Sequence, residues 1–370
     1  MKLLISSLFI FTCTLLTAQD NYSYVDSKAL RIPKAQTYST DSIARYINEN
    51  CTTEKEKVRA FYTWIINNIE YSKDSISHFN RWGIDPEINM NAILRRRKGV
   101  CENYAALFAN ILLKCGVKAA VVTGYTNLPG NNYWNGHGWV AVQADKEWFL
   151  CDPTWDAGYN SYRYFLVPPG EFIETHMPFD PLWQLLDHPV SHKDFRRGYY
   201  HHSKKDTTVF SYKDSVAVYL QSDTLQQMES ASRRIQLAGF DNEDVKTWYK
   251  YNEMKVHIVL QEENMQLFNE SVENLNQAKK LYNEFVQHRN NNFIPVRPDA
   301  EINALFTAAN KLLVAAYKKL EGVGKKSENY QYDTVGLKEN LDALKEKIKM
   351  QEESWNQHLL NVEAAKQKIL

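Results

Sequence analysis

The apolar positions along this chain change their rhythm twice. A nearly continuous apolar run from Leu3 to Leu16 follows Lys2 and ends at Thr17-Ala18-Gln19. A positive start, a run of this length and a small residue near its end predict a secretory signal peptide over residues 1–19. The run is too short for a membrane span. Acylation at Cys13 is the weaker alternative, because Thr12 precedes it and the apolar run continues past it. No later segment is long and apolar enough to cross a bilayer.

From residue 20 to about 195 the pattern is that of a mixed fold. Residues 20–40, polar and containing Pro33, read as an extended lead-in. Two helical patterns follow from Ser42 to Ile69. In the second, Val58, Phe61, Tyr62, Ile65, Ile66 and Ile69 recur at helical spacing, with Thr52 or Thr53 placed to cap the start. Residues 71–90 read as irregular. Residues 100–115 predict a helix that is apolar nearly all round: Ala105, Phe108, Ile111, Leu112 and Cys115 on one face, Ala106, Leu107, Ala109 and Leu113 on the others. Such a helix sits at the centre of a fold. Gly116 ends it. Val117–Tyr125 predicts a buried strand, residues 126–136 a loop, and His137–Gln143 with Trp148–Asp152 a hairpin.

Beyond Tyr212 the apolar positions step by three and four. Val245, Trp248, Val256, Leu260, Leu267, Val272, Leu275, Leu281 and Phe285 predict one long helix. Ile302, Leu305, Phe306, Leu312, Leu313, Ala316 and Leu320 predict a second; Leu337, Leu341, Leu344, Ile348, Trp355, Leu359, Val362 and Ile369 predict a third. Polar, proline- or glycine-bearing segments separate them. The expected arrangement is an antiparallel helical bundle or coiled coil.

Composition narrows the function. Lys plus Arg number 44 and Asp plus Glu also 44, a formal net charge of zero, so no global field favours nucleic acid. Cys51, Cys101, Cys115 and Cys151 follow the leader, too few for a disulfide framework and at no zinc-binding spacing. Their pairing stays open. His176, His188, His192, His201 and His202 are dense but match no metal signature, and read as structural or surface residues. No cofactor and no metal is expected.

The chemistry gathers at three residues. Cysteine catalysis needs a thiolate, a neighbouring histidine and a group that orients the histidine. Cys101 opens the central helix, where free backbone N–H groups favour an anion and its own N–H is an oxyanion donor. The preceding Arg95-Arg96-Arg97-Lys98 run reads as a solvated helix end. If Ala144-Asp145 form a two-residue turn, Gln143 pairs with Lys146 and His137 lies opposite Asp152. A four-residue turn puts His137 opposite Thr154, with Asp152 one diagonal step away on the same face; a three-residue turn would break the parity. Trp82, Tyr133 and Trp134 are candidate substrate contacts, with plain packing the alternative for each. Trp139 and Trp155 read as core walls.

The segments RRRKGVCENYAALFANILLKCGVKAAVVTGY, GHGWVAV and WFLCDPTWDAGY resemble the transglutaminase-like superfamily of papain-fold enzymes over roughly residues 50–160. The stretch YRYFLVPPGEFIETHMPFDPLWQLLDHPVS is similar to an extension in the kyphoscoliosis-peptidase branch. The resemblance implies an α+β fold, a papain-like core with a central helix on an antiparallel sheet, at residues 20–200. The all-α region, residues 201–370, lies outside it. It implies Cys101 as nucleophile, His137 as base and acid, and Asp152 as orienter. Asn103 stands where many members have glycine, and Gly138 and Val140 replace Ala and Asn of a His-Ala-Trp-Asn pattern. The expected function is an exported, periplasmic or secreted cysteine enzyme acting on peptide or glutamine amides through a thioester, with hydrolysis favoured over crosslinking. The alternative is a scaffold whose helical tail binds a protein partner or self-associates. Neither reading involves nucleic acid.

Overall fold

A computed structural model describes residues 22–72, 86–127, 135–159, 161–200, 211–325 and 332–369. The expected leader, Trp82, Tyr133 and Trp134 lie outside the described residues. The chain divides into two compact units, Met1–Gln221 with Arg233–Trp248, and Ser222–Ser232 with Tyr249–Leu370.

The first unit begins with a correction. In place of an extended lead-in, α1 (Ser23–Leu30) is a helix that buries Val25 and Ala29. Its Asp26 accepts a bidentate pair from Arg59 at 2.7 and 2.8 Å, and the Arg59 guanidinium lies 3.4 Å from the Tyr162 ring centre. These are tertiary contacts, which override a weak local pattern. Next come α2 (Thr40–Asn50) and α3 (Glu54–Asn68). Thr53 caps α3 reciprocally: Glu56 N donates to Thr53 Oγ1 at 3.1 Å and Thr53 N to Glu56 Oε2 at 3.2 Å.

Strand β1 (Glu70–Tyr71) pairs in parallel with β2 (Lys98–Gly99). Between them α4 (Pro86–Arg96) occupies part of the stretch expected to be irregular. Arg97 is not the solvated end the basic run suggested. Its guanidinium lies 4.8 Å from the Trp64 ring centre and donates to Thr37 Oγ1.

Helix α5 (Cys101–Lys114) packs on β3 (Ala119–Thr126) and β4 (Asn135–Ala144). It is buried along most of its length, although Leu113 near its end is 55% exposed. Gly116, at φ 80, closes the helix in a left-handed turn, with Val117 N donating to Leu112 O. Strand β5 (Glu147–Cys151) completes the hairpin; α6 (Pro153–Tyr159) and α7 (Pro169–Phe172) follow, then β6 (His176–Pro178) and α8 (His192–Arg196). The sheet order is β5-β4-β3-β6, antiparallel throughout. Val140 and Val142 join the core that holds Phe61, Tyr62 and Phe108, while Trp139 and Ala141 join one with Leu150, Phe172 and Trp183. This is an α+β core with a central helix on an antiparallel sheet.

Helices α9 (Tyr212–Gln221) and α10 (Thr224–Ala238) lead to α11 (Glu243–Asn290), α12 (Asp299–Leu320) and α13 (Thr334–Ile369). Two residues assigned to the tail seam belong to the first unit: Val245 is buried there, and Trp248 stacks on Phe179 and donates to Thr123 Oγ1 at 2.9 Å. In the second unit, Leu275, Phe285, Phe306, Leu313, Leu341, Ile348 and Trp355 share one core. Side chains pair in opposite directions along neighbouring helices. Ser271 bonds Ala316 while Glu284 meets Arg297; Asn303 bonds Trp355 while Tyr317 meets Asp342. The bundle is antiparallel. Among the described residues no helix is long and apolar enough to cross a membrane.

Candidate active site

Cys101 is the first residue of α5, with Val100 at the cap position. Its surroundings depend on a pair of residues that must be small and polar respectively. Asn103 Oδ1 accepts from Val100 N at 2.9 Å, and a Cβ on Gly99 would stand 2.7 Å from the Asn103 Cβ. Asparagine at 103 thus satisfies one of the free amides of the helix start, and glycine at 99 makes room for it.

His137 and Asp152 come from β4 and the end of β5. The observed register pairs Ala144 with Glu147 and Val140 with Cys151, so the turn residues are Asp145 and Lys146. Of the two expected registers the second is observed: Gln143 pairs with Trp148, not with Lys146. His137 falls opposite position 154, and Asp152 lies diagonally on the same face. The reason is the turn: Asp145 and Lys146 both adopt left-handed conformations, φ 54 and 70, as a two-residue hairpin turn requires. Parity survives the shift, and His137 Nε2 donates to Asp152 Oδ2 at 2.7 Å.

Asp152 is fully buried. Its Oδ1 accepts from Thr154 N at 2.9 Å and Trp155 N at 3.2 Å, and its Oδ2 also accepts from His176 Nε2 at 3.2 Å. A buried carboxylate is expensive unless so provided. Burial works against its ionisation, but His137 and His176 more than offset this and hold it well below the usual carboxylate range. Burial likewise opposes the charge on His137, while Asp152 and then Cys101 raise its pKa to about 10, so the ring is an imidazolium at neutral pH. The Cys101 side chain lies near enough to that ring to act on its charge. Since Nε2 is committed to Asp152, Nδ1 is the nitrogen left for sulfur. Gly138, beside His137, lies against the backbone of Glu102, beside Cys101; a Cβ there would make an ordinary 3.7 Å contact, so the departure from alanine is sterically open.

Three residues of this site escaped the sequence reading. His176, taken as structural or surface, is bonded to Asp152. Trp155, taken as a core wall, stacks on His137 with ring centres 5.6 Å apart. Tyr71 lies near enough to Cys101 and Glu102 for their charges, after burial, to raise its phenol. Nothing in local spacing marks any of them; β-pairing brings His176 in, through Thr126↔His176 on β3. Among the described residues, ligand atoms of His137, Asp152 and His176 form the one group near enough to hold a metal ion, all within 4.8 Å of one another.

The family profile described as "Transglutaminase-like superfamily" matches residues 41–153. Human kyphoscoliosis peptidase is 33% identical over 184 residues, covering 44% of this chain and 27% of that protein. Hillarin of Drosophila melanogaster is 24% identical over 202 residues, covering 46% of this chain and 24% of its own length. The chain thus spans about a quarter of these relatives. A solved structure described as a TGase is 20% identical, with a TM-score of 0.23, covering 39% of this chain and 35% of that one. On the family match and its relatives, this chain carries a transglutaminase-like domain in its N-terminal half.

Proposed function

We propose that the first unit is a cysteine acyl-transfer enzyme acting on peptide or glutamine side-chain amides. The observation that carries this reading is the approach of β4 at Gly138 to the start of α5 at Glu102, which sets Cys101 beside a His137 imidazole bonded to buried Asp152. An imidazolium beside the sulfur and a helix N-terminus behind it suit a thiolate nucleophile. The thiolate attacks the amide carbonyl carbon. The C–N bond breaks, the amine leaves with the proton from His137, and a thioester to Cys101 remains. His137, now neutral, takes a proton from the acceptor, which attacks the thioester and releases the thiolate. Water as acceptor yields a carboxylic acid; an amine yields a new amide. The name peptidase on the human relative favours water. The backbone N–H of Cys101 is the first oxyanion donor.

The test uses the mature protein with a cysteine-directed epoxide probe and a panel of peptide and amine substrates, read by mass spectrometry. Cys101 should label fastest among the cysteines, and Cys101→Ala should abolish cleavage, deamidation and crosslinking alike. Equal labelling of Cys101 and its His137→Ala variant would sink the reading.

Export rests on the N-terminal pattern of residues 1–19 and is proposed with it. A partner-binding role for the second unit is compatible with catalysis. It is favoured by exposed apolar side chains along the bundle, Val314, Val335, Met350 and Leu360 among them.

A further inference from the structure

His176 lies 24 residues beyond Asp152 and none of its side chain reaches solvent. Its ring is held on every side. It stacks on Phe172 with centres 4.0 Å apart, lies 4.4 Å from Trp155, and meets Trp139 and Tyr164 edge-on at 5.1 and 5.3 Å. Its Nε2 faces Asp152 Oδ2, an ionised carboxylate that can only accept, so Nε2 carries the proton and Nδ1, 2.7 Å from Thr175 Oγ1, accepts. A phenylalanine would fill the same aromatic cluster without burying two polar nitrogens.

We propose that His176 is a positioning residue: by donating to the Asp152 oxygen that His137 also uses, it fixes that carboxylate and hence the direction in which His137 presents its other nitrogen to Cys101. The effect on Cys101 rests on the nucleophile reading above; the effect on His137 does not. The two backbone donors hold Oδ1, but a single donor on Oδ2 would leave that oxygen free to follow the His137 ring. Two imidazoles, one of them locked by its own cage, define its place. Burial pushes His176 down to about 4, so it donates as a neutral ring and puts no second positive charge beside the His137 imidazolium.

The competing role is metal ligation. Two ligand atoms held tetrahedrally on one zinc at about 2.0–2.1 Å stand roughly 3.3 Å apart. The 2.7 Å between His137 Nε2 and Asp152 Oδ2 is shorter than that and is a hydrogen-bond distance.

The test compares mature wild type with His176→Phe, which keeps the ring without the donor, and His176→Gln, whose amide nitrogen replaces Nε2. Cys101 alkylation by iodoacetamide is followed against pH by mass spectrometry, and the His137 ring nitrogens by NMR. In His176→Phe, alkylation at pH 7 should slow about tenfold. The His137 nitrogen shifts should move as well, and His176→Gln should restore most of both. Unchanged profiles and shifts in His176→Phe, or no rescue by His176→Gln, would overturn the proposal. So would one equivalent of divalent metal in the purified wild type that both variants lose. If His137→Ala leaves Cys101 alkylation untouched, the nucleophile reading fails, and the His137 shifts alone decide the positioning role. Should His176→Phe fail to fold, His176→Asn, too short to reach Asp152, takes its place.

Discussion

Asp152→Asn keeps the shape of the side chain and removes the charge that makes His137 a cation. The His137 pKa should fall from about 10 towards or below its ordinary 6.5, because burial then acts without the opposing carboxylate. Turnover on a validated substrate should drop by about a hundredfold or more, read as kcat at fixed pH. Cys101→Ala should be more severe, and a silent Asp152→Asn would disprove the orienting role. The buried histidines also set how stability depends on pH. His176 and His192 are depressed from 6.5 to about 4, so the unfolded chain takes up their protons first as pH falls. Their contribution is complete above about 6.5 and is lost on the way down to about 4. His137 has the opposite sign: its contribution is complete below 6.5 and is lost as pH rises through about 10. Tm should therefore fall on both sides of near-neutral pH. His192→Gln, which removes one of the two depressed imidazoles, should flatten the acid side. An unchanged acid slope would refute the assignment. At this scale Cys101, His137 and Asp152 were legible because each sits in a motif. His176 was not, since its neighbours are aromatic residues distant in sequence.

Two elements carry the register that brings these residues together. The β4–β5 turn places Lys146 at φ 70, where a side chain costs about 1 kcal/mol or more. Lys146→Gly should raise stability by about 0.5–1 kcal/mol in urea unfolding, leaving intact the Lys55–Asp145 ion pair at 3.0 Å. Loss of stability would mean that the turn is not the two-residue form. On the other side of the sheet, Gly124 stands between His137 on β4 and Pro178 on β6. A Cβ there would fall 2.1 Å from Met177 O and 2.5 Å from the Trp139 ring. Gly124→Ala should cost about 3 kcal/mol or more and should separate β6, with His176, from the site. A variant as stable as wild type by urea unfolding would contradict that packing. The hairpin could be read from alternation, but its turn lacks the Asn-Gly or Asp-Gly signal that pins a register, and two registers of equal parity were left. Helix α1 was missed for a related reason: its Asp26–Arg59 pair spans 33 residues.

At the scale of the whole molecule, separate hydrophobic clusters serve the α+β fold and the bundle. Leu341 is fully buried in the bundle, and Leu341→Ala should destabilise that unit by about 2–5 kcal/mol. Calorimetry should show the loss in one transition while the rate of Cys101 labelling at 25 °C stays unchanged. A parallel fall in labelling would show that the two units unfold as one.

The sequence alone determined the fold class, the helical tail and the three residues proposed for the chemistry. These follow from local periodicity, from caps and from motifs in which a few neighbouring residues carry the signal. Tertiary structure decided the hairpin register, the burial of Asp152, the charge on His137 and the arrival of His176. Each of these is a free-energy balance among groups distant in the chain. A carboxylate becomes an orienting anion only when two backbone amides and two imidazoles converge on it in a place that excludes water, and no spacing along the chain encodes that convergence.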